Sequence, residues 1–185
     1  MMIFLLVVIG IVAVGLLWFI ASYNNIVRKK NMLDESLSGI AVQQKRRYDL
    51  IPNLVNTVSG YSAHESQLLQ SITSMRSATI HGVNPMQSMA AESGLSGALK
   101  TLFAVAENYP DLKANQNFCE LQRELSVIEA ELQLARRYYN GVARIYNNAI
   151  HTFPSVMVAS FFNYKNAEYF VLDCVSQADV PSVKF

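Results

Sequence analysis

In the stretch KRRYDLIPNLV, residues 45–55, Arg46, Arg47, Tyr48 and Asp49 stand just before a proline. A second arginine pair lies at Arg136 and Arg137. Paired guanidiniums suit two tasks, holding a phosphate or making ion pairs between helices. Acidic residues accompany both pairs: Asp49 beside the first, Glu129 and Glu131 beside the second. That company favours ion pairs over a phosphate site.

Other chemistry is sparse. The histidines are His64, His81 and His151, and no Glu-x-x-His or HExxH occurs, so no metal site is expected. There is no GxSxG, Walker loop, Rossmann glycine pattern or kinase motif. The serines are scattered, with no His/Asp partner suggested. Cys119 and Cys174 form neither CxxC nor a disulfide framework, and read as a buried helix cysteine and a tail cysteine. The pair Tyr138 and Tyr139 reads as half surface and half core. A net charge of +1 gives no steering toward nucleic acid. No cofactor and no enzymatic activity are expected.

The elements that would position these residues begin with an apolar run. Hydrophobic residues make up 51% of the chain and charged residues 16%, and the excess is concentrated at the start. Met1 to Ala21 contains no polar or charged side chain, and as a helix it spans ~31 Å, about one bilayer core. A cleaved signal peptide fits poorly. No basic residue precedes the run, the run is long, and Phe19 is too large for a small-x-small cleavage site. Residues 1–22 are therefore read as a single-pass anchor, with Trp18 and Tyr23 at the interface. Arg28, Lys29 and Lys30 follow it, which by the positive-inside rule leaves the N-terminus outside and the rest in the cytoplasm. The same three residues are candidates for anionic lipid headgroups.

After the anchor the periodicity is helical, and the fold class is all-α. Steps of three and four from Leu33 to Met75 mark a heptad-like seam, predicting one helix over about 23–79 that continues the anchor. HGVNP, His81 to Pro85, stops it, with Asn84 as cap and Pro85 in the first turn of a helix over 86–107. Gly94 and Gly97 weaken that helix unless a neighbour packs closely there. NYPDLKAN, Asn108 to Asn115, reads as a loop, and Asn117 with Glu120 as a capping pair for a helix over 117–151. That helix carries the clearest seam: Phe118, Leu121, Leu125, Ile128, Leu132, Ala135, Tyr139, Val142, Tyr146, Ala149. A short apolar helix over 154–162 closes a bundle domain spanning 23–162. Residues 163–185 are an irregular tail, in which YFVLDCV (Tyr169 to Val175) suits a strand or an extended segment.

The segments YNNIVRKKN (23–31), VQQKRRYDLIPNLV (42–55), YPDLKANQNF (109–118), LARRYYNGVARIYN (134–147) and FPS (153–155) together resemble the LemA family of bacterial membrane proteins. The resemblance implies a short N-terminal anchor in the bacterial cytoplasmic membrane and an antiparallel helical bundle of three to four helices. It implies no established enzymatic activity.

The function expected is a non-enzymatic, membrane-anchored helical scaffold that self-associates, with membrane lipids and further copies of itself as partners. The alternative is an adaptor that binds another membrane or signalling protein; a hydrolase or metal enzyme is a remote third. KRRYDLIPNLV then reads as architecture. Pro52 has no amide hydrogen, so the Tyr48 carbonyl loses its helical partner and the helix bends while continuing. Arg47 falls on the apolar seam, or Tyr48 does after a one-residue stutter. A buried arginine needs an acid, and Glu129 and Glu131 are the candidates. Arg46, Arg47, Tyr48, Asp49, Pro52 and Asn53 form the proposed kink and register motif.

Overall fold

No proline occurs in the first fifty residues, and the three glycines there, Gly10, Gly15 and Gly39, stand singly. In the computed structural model, which describes residues 1–61, 65–80 and 85–170, α1 runs unbroken over Met2–Ser59. Five helices follow: α2 Ser66–Ile80, α3 Pro85–Ala106, α4 Pro110–Lys113, α5 Gln116–His151 and α6 Ser155–Phe161. The described residues contain helices and no strand, so the all-α class is correct.

The boundaries correct three expectations. The helix expected over 23–79 is split, because Gly60 and Tyr61 form a turn after Ser59, and the distal part of the seam belongs to α2. Gly60 lacks the side chain that favours continuation. The expected loop NYPDLKAN contains α4, which has Pro110 at its start, Asp111 in its first turn and Lys113 in its last, the charge order the helix dipole favours. The cap of α5 is Asn115, not Asn117: the Asn115 Oδ1 accepts from the Phe118 amide at 3.0 Å. Pro85 does open α3, while His81 to Asn84 and residues 171–185, with Cys174, lie outside the described residues.

The chain divides into two compact units. The first takes residues 1–40 and 134–169. Its core is Ile26 from α1, Tyr146 and Ile150 from α5, and Val158 and Ala159 from α6. The apolar side chains of residues 1–20 lie outside that core and are exposed, apart from a half-buried Phe19. This helix is long and apolar enough to cross a membrane, with a mean hydropathy of 3.1 over its most apolar window. Asn163, at φ 55°, takes the left-handed conformation that ends α6, and the Tyr164 amide returns to the Ala159 carbonyl at 3.0 Å.

The second unit takes residues 41–133 and, among the described residues, Phe170. Ile51, Leu54 and Val58 of α1, Ile72 of α2, Leu95, Leu99 and Leu102 of α3, Leu112 of α4, and Phe118 and Leu125 of α5 form its core. Each such burial contributes roughly 1.5–3 kcal/mol. A Cβ at Gly94 would meet the Met75 sulfur of α2 at 3.4 Å, an ordinary van der Waals contact, and one at Gly97 would meet nothing within 4 Å, so neither glycine is required by close packing.

Candidate functional site

The ionisable residues that come together do so inside the second unit. The α1 seam delivers Arg47 to the interior, where it is 1% exposed. Its Nη1 lies 3.2 Å from Glu92 Oε2 and 3.3 Å from Glu129 Oε2. Its Nη2 donates to Ser96 Oγ at 3.0 Å, and that hydroxyl donates to Glu129 Oε1 at 2.9 Å. Glu92, also 1% exposed, accepts at its other oxygen from the Tyr48 hydroxyl. One arginine therefore ties α1 to α3 and α5, and each carboxylate is held at both oxygens.

The same stretch engages α2 through its backbone. Pro52 sits exposed inside α1 and removes the amide that would serve the Tyr48 carbonyl. Arg76 Nε of α2 donates to that carbonyl at 2.8 Å. The proline and its repair are thus built from two distant segments, and the network reaches all four long helices of the unit.

The structure brings together some of the sequence-predicted residues and leaves others apart. Arg47 meets Glu129, and Arg46 meets Glu131 at 3.0 Å on the surface, with Gln43 at 3.1 Å beside it. Asp49 pairs with Lys45 at 2.9 Å, both exposed, and takes no part in the buried network. Asn53 is exposed, and its carbonyl accepts from Thr57. Lys30 pairs with Asp34 at 3.1 Å, while Arg28 is exposed and Lys29 half-buried. Sequence reasoning missed Glu92, Ser96 and Arg76. A glutamate among Met89, Leu95 and Leu99 was the one available signal for Glu92; Arg76 gave none.

Surface grooves approach this network without reaching its centre. One of about 480 Å³ is lined by Arg46, Asp49, Leu50, Arg123, Glu124 and Ile128. Another of about 500 Å³, between α3 and α5, reaches Ser96 and Glu129. Neither is lined by Arg47, Tyr48 or Glu92. Cys119 is exposed rather than buried, its thiol 3.2 Å from the Lys113 carbonyl at the start of α5.

In the first unit, α5 grips the chain that follows α6. Tyr139 and Tyr146 donate their hydroxyls to the Glu168 and Lys165 carbonyls, each at 3.0 Å. The Asn147 amide both donates to the Ala167 carbonyl, at 2.9 Å, and accepts from the Ala167 amide, at 2.8 Å, as a β-strand neighbour would. His151 meets Asn166 at 2.6 Å. Burial raises both tyrosines above the ordinary phenol value, with Glu168 and Asp34 adding for Tyr139; for Tyr146, Lys30 lowers and Asp34 raises. Arg137 and Arg144 border a shallow groove of about 370 Å³ with Asn140, Gly141 and Tyr169. The segment 163–170 is irregular yet anchored; residues 171–175 of the YFVLDCV stretch lie outside the described residues.

Comparison with known proteins places this architecture in a family. The LemA family model matches residues 36–185. Protein LemA of Metamycoplasma hominis is 27% identical over 183 residues, 96% of this chain and 82% of that relative. Magnetosome protein MamQ 2 of Paramagnetospirillum magneticum is 24% identical over 174 residues, 80% of this chain. Magnetosome protein MamQ of Magnetospirillum gryphiswaldense is 29% identical over 82 residues, 44% of this chain. The chain spans 64% and 30% of the length of these two magnetosome proteins.

Proposed function

This chain belongs to the LemA family, and on that premise we propose that it is a membrane-anchored, non-enzymatic scaffold whose copies assemble side by side. The observation that carries the reading is a second apolar face on α5. Tyr139, Val142, Ala143, Tyr146 and Ile150 are buried on one side. Leu134, Tyr138 and Ile145 are exposed on the other, spaced four and seven apart along one stripe. Gly141 lies in the same stripe, and a Cβ there would meet nothing within 4 Å, so a neighbouring helix can approach closely. An uncovered seam of this spacing suits a helix of another copy.

The anchor determines how copies meet. Chains held in one bilayer present the same residue at the same height, so seams face each other in register. A contact whose rotation closes gives a ring, and one that does not gives an open array. The basic residues Arg28, Lys29 and Lys30 on the C-terminal flank of the anchor favour a cytoplasmic location for the helices beyond it and contact with anionic headgroups. The non-enzymatic part rests on burial: Arg47 and Glu92, an ion pair with both side chains 1% exposed, sit where no substrate reaches them.

The test is crosslinking of the full-length protein in native membranes from Leu134→Cys or Tyr138→Cys. Self-adducts are expected, together with loss of large species in mild detergent on Ile145→Asp. A wild-type protein monomeric by light scattering would refute the reading. A single heterologous adduct without self-adducts would replace it with the adaptor reading.

A further inference from the structure

We propose that α6 is a second membrane-contacting element, an interfacial helix whose aromatic side lies in the headgroup–acyl boundary of the bilayer. The proposal rests on reading the apolar start of α1 as an anchor. α6 is two-sided. Val158 and Ala159 pack onto Ile26, Tyr146 and Ile150. Facing away, Phe153, Met157 and Phe161 recur every four residues and are exposed, Phe161 by 76%, and the exposed Phe162 follows.

The height of this apolar stripe identifies what covers it. The Phe161 ring lies edge-on to Phe19, with centroids 6.3 Å apart. Phe162 lies 6.2 Å from Phe19 and 4.7 Å from Tyr23. Phe19 and Tyr23 mark the place where the apolar run of α1 gives way to Tyr23, Asn24 and Asn25. A bilayer crossed by that run has its interface at this level, where aromatic side chains concentrate. Trp18, Phe19, Tyr23, Phe161 and Phe162 then form one aromatic girdle drawn from both ends of the chain.

Charge agrees with depth. No charged residue occurs between Thr152 and Tyr164. The first charged side chains on either side of this level are basic: Arg28 and Lys29 on α1, and the exposed Lys165 after α6. The nearest carboxylates along the chain are Asp34 on α1 and Glu168 beyond α6. An apolar stripe backed by cations suits an anionic bilayer surface better than a soluble acidic or basic partner.

Trp18 is the single tryptophan, which makes the test direct. Full-length protein is reconstituted in phosphatidylcholine–phosphatidylglycerol vesicles carrying lipid brominated high on the acyl chain. The wild type reports the anchor through Trp18. A Trp18→Phe, Phe161→Trp variant reports α6, and a Trp18→Phe, Leu134→Trp variant is the control away from lipid, in the α5 stripe proposed to meet a second copy. Quenching at position 161 is expected within about twofold of that at Trp18, with weak quenching by acrylamide, whereas position 134 shows no bromolipid quenching. Quenching at 161 no greater than at 134, while Trp18 is quenched, overturns the α6 assignment alone. A tryptophan at 161 shielded from both lipid and acrylamide marks a protein contact and also overturns it. An unquenched Trp18 brings down the anchor and this proposal together.

Discussion

The repair of the Tyr48 carbonyl predicts an unusual suppressor. Arg76→Met keeps an unbranched apolar stem of similar reach but deletes the 2.8 Å donor to a carbonyl whose helical partner Pro52 has removed. Tyr48 is only 9% exposed, so water replaces that donor poorly. Leaving such a group unpaired costs about 1–3 kcal/mol, which for a protein of this size lowers Tm by roughly 2–12 °C. Pro52→Ala supplies an amide in the position to donate to the same carbonyl. Pro52 is exposed, so its removal opens no cavity. Arg76→Met should therefore cost less than about 0.5 kcal/mol in the Pro52→Ala background, a coupling beyond the scatter of additive sites. The assay is thermal and urea unfolding of the four full-length proteins in one detergent, followed by circular dichroism. Equal cost of Arg76→Met in both backgrounds would show that the arginine serves some other group, and the account of the proline would fail.

Two further outcomes follow from the same contacts. Arg47→Met should destabilise by about 3–5 kcal/mol because it strands Glu92 in the interior; adding Glu92→Gln should recover part of that loss, and a strictly additive pair in urea unfolding would count against the network. Tyr139 and Tyr146 have folded-state pKa values above the ordinary phenol value. Their contribution is complete below about pH 10, then declines as unfolded tyrosines ionise first and is lost as pH passes the raised folded values. Tyr139→Phe with Tyr146→Phe should thus flatten the fall of Tm between about pH 9 and 11, and an unchanged slope would refute the assignment.

Legibility in the sequence followed the range of each interaction. The α5 seam could be read because its spacing of three and four is a local property of one helix, and Arg47 could be marked as buried because it interrupts such a seam. The contact to Glu129 was readable as one of two acids on a facing helix. Glu92 was harder: its spacing from Leu95 and Leu99 puts it on the α3 seam, but only the packing of α3 against α1 makes it the partner of Arg47. Arg76 illustrates the limit more sharply. The sequence states that the Tyr48 carbonyl is orphaned, but the donor comes from 28 residues away on a helix whose placement follows from the turn after Ser59. That turn was itself missed, because an apolar seam can continue across a helix break.

The buried ions have a reason to exist in a fold otherwise held by apolar seams. A seam of strict heptad spacing tolerates sliding by one repeat, since apolar side chains find apolar neighbours in either alignment. Arg47 removes that tolerance. Sliding α5 or α3 by a heptad carries Glu129 or Glu92 roughly 10 Å from the guanidinium, leaving an uncompensated charge in the core. Arg76 imposes the same condition on α2 through the backbone of α1. We therefore attribute to this network the selection of one helix alignment rather than net stability. The condition holds within residues 41–133, where loss of Arg47 would leave α3 and α5 able to settle against α1 in more than one alignment.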